Sequence, residues 1–245
     1  MKVAAYQAPL LPEGSMDAVE FLRHRIFECE AAGISVLCCP EAMLGGLADW
    51  SANPARFAFR GDDPRLASIL APLASPTVTL IVGFTELTRD GRLHNSAAIV
   101  EQGKITGIYR KNYPAMRQSI YSPGAETPVF RAGALTFGVL ICNDSNYPEL
   151  ARNVAAQRAT VLFVPTNNSL PLDRDATRIR LAARRVDVSL ATGNRFWVVR
   201  ADVAGQNGKL ASAGCSEIVD PRGAVVVEAK PGQPDLLVAN IDAVR

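Results

Sequence analysis

Imidazole is scarce: His24 and His94 are the only histidines among 245 residues. Neither stands at zinc-ligand spacing from a cysteine, so no metal site is expected. Neither has the flanks expected of the base in a papain-like thiol hydrolase. The cysteines, Cys29, Cys38, Cys39, Cys142 and Cys215, are odd in number and lack a disulfide-framework spacing, which fits a reducing, cytoplasmic setting. Charge of one sign is also missing. Twenty-six Lys and Arg balance 24 Asp and Glu, so no electrostatic footprint for nucleic acid is present. No apolar run approaches the roughly 18 residues of a spanning helix. The stretch after Met1-Lys2 is broken by Gln7 and Pro9 and is too short for the hydrophobic region of a signal peptide. Neither a membrane nor a nucleic-acid partner is expected. No linker, charge block or low-complexity tract divides the chain, so residues 1–245 read as one domain.

What is present is a regular alternation of short apolar runs and amphipathic segments. Val3 to Gln7 reads as a strand, and Asp17 is placed to cap a helix carrying Val19, Leu22, Ile26 and Cys29 on one face. Gly33 ends that helix and Ile34 to Cys39 begins a second strand, an order that implies a parallel pair. Strands over Thr79 to Thr85, Ser96 to Val100 and Ile105 to Tyr109 are joined by tight turns and must be antiparallel neighbours. Pro148 opens a helix, and Val161 to Val164 returns as a strand. Asp173 to Leu190 reads as a helix with Ile179, Leu181, Ala182 and Val186 toward the core and its arginines solvated or ion-paired. Phe196 to Val203, Glu217 to Val219, Val225 to Val227 and Leu236 to Ala239 read as a second set of strands. Long apolar strands with interspersed helices require an α/β architecture of helices covering sheet.

The chemistry concentrates at strand ends. In LTFGVLICNDSNYP the apolar run Leu135 to Ile141 stops abruptly at Cys142, which delivers a thiol to the rim where ligands of α/β sheets usually sit. Glu41 and Lys111 follow apolar runs in the same manner. Asn167 and Asn168, after the strand ending at Pro165, reach the same rim and are candidate substrate-binding residues. The loop Met43 to Asp63 is long enough to be functional, with Trp50 a candidate pocket wall.

Five strings, VAAYQAPL, PEAMLGG, RKNYP, YSPGAETPVF and AGCSEIVDPRG, fall in an order that resembles the nitrilase superfamily, the carbon-nitrogen hydrolases. The resemblance implies an α-β-β-α sandwich of two mixed sheets covered by helices. It implies Cys142 as nucleophile, Glu41 as general base, and Lys111 with the backbone N–H of Asn143 stabilising an oxyanion. It implies no cofactor, a small-molecule amide or carbamoyl substrate, and a homodimer or higher homo-oligomer. Nitrile hydrolysis on the same residues is one rival reading. A catalytically silent relative that binds a metabolite or a partner is another. Two positions depart from the family pattern: Arg117 and Gln118 stand where a second glutamate is usual, and Asn146 stands where an arginine is common. Facing the pocket, Arg117 would bind a substrate carboxylate and favour acidic amides. A reactive Cys142 of low pKa is also expected, one that alkylates well below pH 8.

Overall fold

A computed structural model describes residues 1–116, 118–172 and 176–241. Among them the strands form two sheets, one of ten strands and one of six. Lys2–Pro9 is central to the larger sheet: it pairs in parallel with Ile34–Cys38 and antiparallel with Asp235–Asn240. Thr79–Leu87 extends the parallel run, and Leu93–Glu101 and Lys104–Arg110 follow as antiparallel hairpins. The smaller sheet combines parallel pairs through Leu135–Val139, Val161–Pro165 and Trp197–Ala201 with antiparallel strands at both edges. Both sheets are therefore mixed, as the hairpin turns predict.

Residue alternation along the strands builds the layers. Val3 and Ala5 pack with Phe137, Val161 and Phe163 of the other sheet, whereas Ala4 and Tyr6 turn to the opposite side. There they meet helix α1 (Ala18–Ala32), through Leu22, Ile26 and Cys29, and helix α2 (Pro64–Leu70), through Leu66 and Leu70. Helices α3 (Pro148–Ala156) and α4 (Ala176–Asn194) cover the smaller sheet with Leu150, Val154, Leu190 and Ala191. The result is the α-β-β-α sandwich. Gly138 interrupts the apolar strand Leu135–Val139 that leads to Cys142, and its position has a steric cause: a Cβ there would lie 2.3 Å from Val154 Cγ1.

Three expectations change. Asp17 precedes α1 but has helical dihedrals, and its carboxylate makes no capping bond. Its own N–H instead donates to the Ser15 hydroxyl. The expected inward face of α4 is rotated: Leu181 and Ala182 are exposed, while Asp187, Leu190 and Ala191 are buried. The rotation follows the charges, because Arg180 and Arg184 are tied to Glu228 and Glu217 on one flank and Asp187 turns inward to Arg200. The helix start expected at Asp173 lies outside the described residues. Finally, the last strands do not all join one sheet. Trp197–Ala201 stays in the smaller sheet, while Val203–Asn207 and Asp235–Asn240 pair with Lys2–Pro9 in the larger one. Among the described residues no helix is long and apolar enough to cross a membrane.

Candidate active site

Three strand ends meet at one rim. Glu41 follows Ile34–Cys38 in a turn that puts Ala42 at φ 51°, a left-handed conformation that side chains seldom adopt. The turn lies so close to the neighbouring strand that a Cβ on Gly83 would be 2.3 Å from Ala42 N and 2.7 Å from Pro40 O. Only glycine leaves room for it. Lys111 leaves Lys104–Arg110 with its N–H bonded to Asn95 O at 2.9 Å. Cys142 opens a short 3₁₀ turn with φ 47°, the second left-handed non-glycine residue at the rim. Such backbone strain costs on the order of 1–3 kcal/mol and persists only where the surroundings over-determine it.

Those surroundings are a set of buried charges. Lys111 Nζ donates to Glu41 Oε1 at 2.5 Å, Asn95 Nδ2 donates to the same oxygen at 2.7 Å, and the Asn167 N–H donates to Oε2 at 3.0 Å. Glu41 and Lys111 are 2% and 3% exposed, so this is a desolvated ion pair. Burial opposes the charge on Lys111, but Glu41 and then Cys142 outweigh it and raise its pKa. Glu41, Lys111, Asn95, Cys142 and Asn167 line a single cavity of about 110 Å³. Withdrawal from water, and next the Glu41 carboxylate, push the Cys142 thiol up to about 12 against the pull of Lys111 and Arg200.

Behind the cysteine, Asp144 joins its turn to the lysine loop. Its Oδ1 accepts from the N–H groups of Asn112 and Tyr113 at 3.1 and 2.7 Å, and its Oδ2 from Tyr109 Oη and the Ile141 N–H at 2.7 and 3.1 Å. All four partners are donors, so a side chain with two acceptor oxygens is required. Burial raises the Asp144 pKa to about 6 in spite of these bonds. On the other flank Arg200 makes a two-pronged pair with Asp187 at 2.5 and 2.6 Å, both residues almost fully buried. The same guanidinium donates to Thr166 Oγ1 at 2.8 Å and Ser145 Oγ at 3.2 Å, and Ser145 Oγ donates to the Cys142 carbonyl at 2.7 Å. Thr166 in turn receives the Glu41 N–H on its carbonyl at 3.3 Å. One buried cation thus tethers both the carboxylate turn and the thiol turn.

The carbon-nitrogen hydrolase profile matches residues 2–245.

The chain belongs to that family.

Among curated relatives it is 28% identical to a hydrolase in the pqqF 5′ region of Pseudomonas protegens over 94% of this chain and 79% of that one. It is 32% identical to an (R)-stereoselective amidase of a Pseudomonas species over 81% of this chain and 70% of the other. Among solved structures, Saccharomyces cerevisiae Nit3, a member of branch 10 of the nitrilase superfamily, superposes with TM-score 0.84 at 23% identity. That match covers 98% of this chain and 89% of Nit3.

Within the carbon-nitrogen hydrolase fold, the sequence-predicted residues divide into those at the cavity and those around it. Glu41, Lys111, Cys142 and Asn167 share the cavity, but Asn167 reaches Glu41 through its backbone, and its side-chain oxygen accepts from the Ser169 N–H. Asn168 sits at the sulfur: its Oδ1 is 4.0 Å from Cys142 Sγ, while its N–H and Nδ2 are committed to Asp202. Asn143 lines a neighbouring groove of about 270 Å³, its amide donating to Tyr113 O and accepting from Asn146. Arg117 and the side chain of Trp50 lie outside the described residues. For Cys142, where a low thiol pKa is expected, burial and then the neighbouring Glu41 carboxylate act in the opposite direction and raise it. Asp144, Arg200, Asp187 and Asp202, buried around the cavity, are not singled out by any motif in the sequence. Their signal is a charged residue inside an apolar pattern, as in WVVRAD, where Arg200 and Asp202 interrupt a buried strand and therefore need partners.

Proposed function

We propose that this carbon-nitrogen hydrolase cleaves a small amide or carbamoyl compound through a thioester on Cys142. The observation that carries the reading is the convergence of Cys142 with the Glu41–Lys111 ion pair in one cavity. Because burial and Glu41 raise the thiol pKa, the sulfur needs a base at the moment of attack. Glu41 takes the thiol proton as sulfur bonds to the carbonyl carbon. The tetrahedral oxyanion forms against Lys111 and the Asn143 N–H, the latter by family resemblance. Removing one such donor typically lowers the rate by about 10²–10³-fold. Collapse expels the amine, which leaves with the proton held on Glu41. Water, deprotonated by the same carboxylate, then attacks the thioester, and the acid departs as the thiol is restored. None of these steps requires a cofactor.

The same reading takes residues 1–245 as one domain acting in the cytoplasm as a homodimer or higher homo-oligomer. Apolar side chains left outside, Leu172 at 55% and Leu181 at 51% exposure, support the oligomer. Ammonia release from a panel of short amides, carbamoyl compounds and nitriles tests the reading. Amides or carbamoyl compounds are expected to turn over, with activity absent in Cys142→Ala. Turnover of nitriles alone would transfer the reaction to the rival class, and turnover of none would point to a silent binding relative.

A further inference from the structure

The cavity has a second carboxylate that the reaction does not use. Asp49, in the turn Ala48–Trp50, lines it together with Glu41, Lys111 and Cys142. Its Oδ1 accepts from Ser119 Oγ at 2.9 Å and the Ile120 N–H at 2.9 Å, and its Oδ2 accepts only the longer leg of the serine bond at 3.1 Å among the described residues. These donors are neutral, and a carboxylate oxygen has two lone-pair directions, so Oδ2 keeps acceptor capacity. Glu41 and Lys111 neutralise each other at 2.5 Å. Among the described residues of the cavity wall, Asp49 is thus the charge with no opposite charge against it. The wall is otherwise largely apolar, with Leu47, Pro114, Ala115, Met116 and Leu170. A low-dielectric lining strengthens the field of a lone carboxylate, attracting a cation and repelling an anion.

We infer that Asp49 receives the cationic end of the substrate, so that the preferred compound is a short aliphatic amide or carbamoyl compound bearing an ammonium group. The aliphatic segment would lie along the apolar wall while the ammonium donates to Oδ2. This inference rests on the hydrolytic reading above and adds the substrate class. It runs opposite to the acidic preference that Arg117 would give.

Three matched amides test it: 4-aminobutanamide, the neutral pentanamide and the anionic 4-carbamoylbutanoate. The native protein is expected to show kcat/KM at least about tenfold higher for the ammonium compound than for the neutral one, and lowest for the anion. In Asp49→Asn the ammonium-to-neutral ratio should fall about tenfold or more, chiefly through KM, because the charge that holds the ammonium is gone. Asparagine keeps an oxygen for Ser119 and Ile120, so the turn retains its tie. A native preference for the neutral or anionic amide, or a ratio unchanged by Asp49→Asn, would overturn the assignment. The native ratio decides the matter even where the variant does not fold. Absence of all hydrolysis would count against the thioester reading instead. Calorimetric binding of 4-aminobutanamide and pentanamide to Cys142→Ala would then judge Asp49: tighter ammonium binding supports it and equal affinities refute it.

Discussion

In Glu41→Gln, kcat/KM for the amide substrate is expected to fall by about 10³–10⁴-fold while Cys142 becomes easier, not harder, to alkylate. The two effects have one origin. The Glu41 carboxylate is the second-largest cause of the raised thiol pKa, after burial, whereas Lys111 pulls the other way. Glutamine removes the repulsive charge and leaves the Lys111 ammonium to stabilise a thiolate, so the pH at which iodoacetamide labels Cys142 should move down. In the proposed reaction the base is nonetheless gone: nothing would return a proton to the amine or activate water, and the Nζ that sat 2.5 Å from a carboxylate oxygen loses its counter-charge. Parallel measurement of amide turnover and of labelling between pH 6 and 10 separates this account from a purely structural one. A structural lesion would depress both. Labelling that moves to higher pH would show that Glu41 does not act on the sulfur in the way proposed.

The second large effect is on stability. Replacing Arg200 by Met leaves Asp187, 0% exposed, without its partner, and breaking a buried pair in this way costs about 3–5 kcal/mol. The urea midpoint should fall accordingly. Removing both charges together, Arg200→Met with Asp187→Leu, should recover most of that loss, because well-packed apolar residues of similar volume often equal a buried ion pair. The rate should not recover with it. Thr166 and Ser145 would still lack the guanidinium that fixes the Glu41 and Cys142 turns, and displacements near 1 Å at such positions can lower kcat on the order of 10²-fold. Recovery of stability and rate together would assign Arg200 to packing alone.

These effects locate what could be read from the chain. Glu41, Lys111 and Cys142 each follow an apolar run, which places them at strand ends, but the run alone does not single them out: a lysine beside Arg110 is ordinarily solvated, and it is the order of the flanking motifs that resembles the family. The layers follow from the apolar runs themselves. Alternation puts Cys38 and Cys39 on opposite faces of their sheet, where they join different cores. What escaped the sequence depends on pairings between distant segments. Asp235–Asn240 has the pattern of any half-buried strand, and its register with Lys2–Pro9 is set by a closure spanning nearly the whole chain. The rotation of α4 is a similar case. Leu181 and Ala182 fit an inward stripe by spacing, yet Asp187 takes that side because Arg200, thirteen residues on, is buried and must be neutralised. Asp49 belongs to a loop without periodicity, and only the fold carries it to the wall of the cavity. Polar residues inside apolar patterns are the places where local rules yield, and here they cluster behind the thiol.

The central claim is that Cys142 carries the acyl group between the two halves of the reaction. Its most direct measurement is acid-quenched peptide mass spectrometry after mixing the protein with 4-nitrophenyl butanoate, an ester whose good leaving group makes acylation outrun hydrolysis. One butanoyl group per chain on the peptide containing Cys142, absent in Cys142→Ala, is the predicted result. Acylation confined to another residue, or amide turnover that survives in Cys142→Ala, would contradict it.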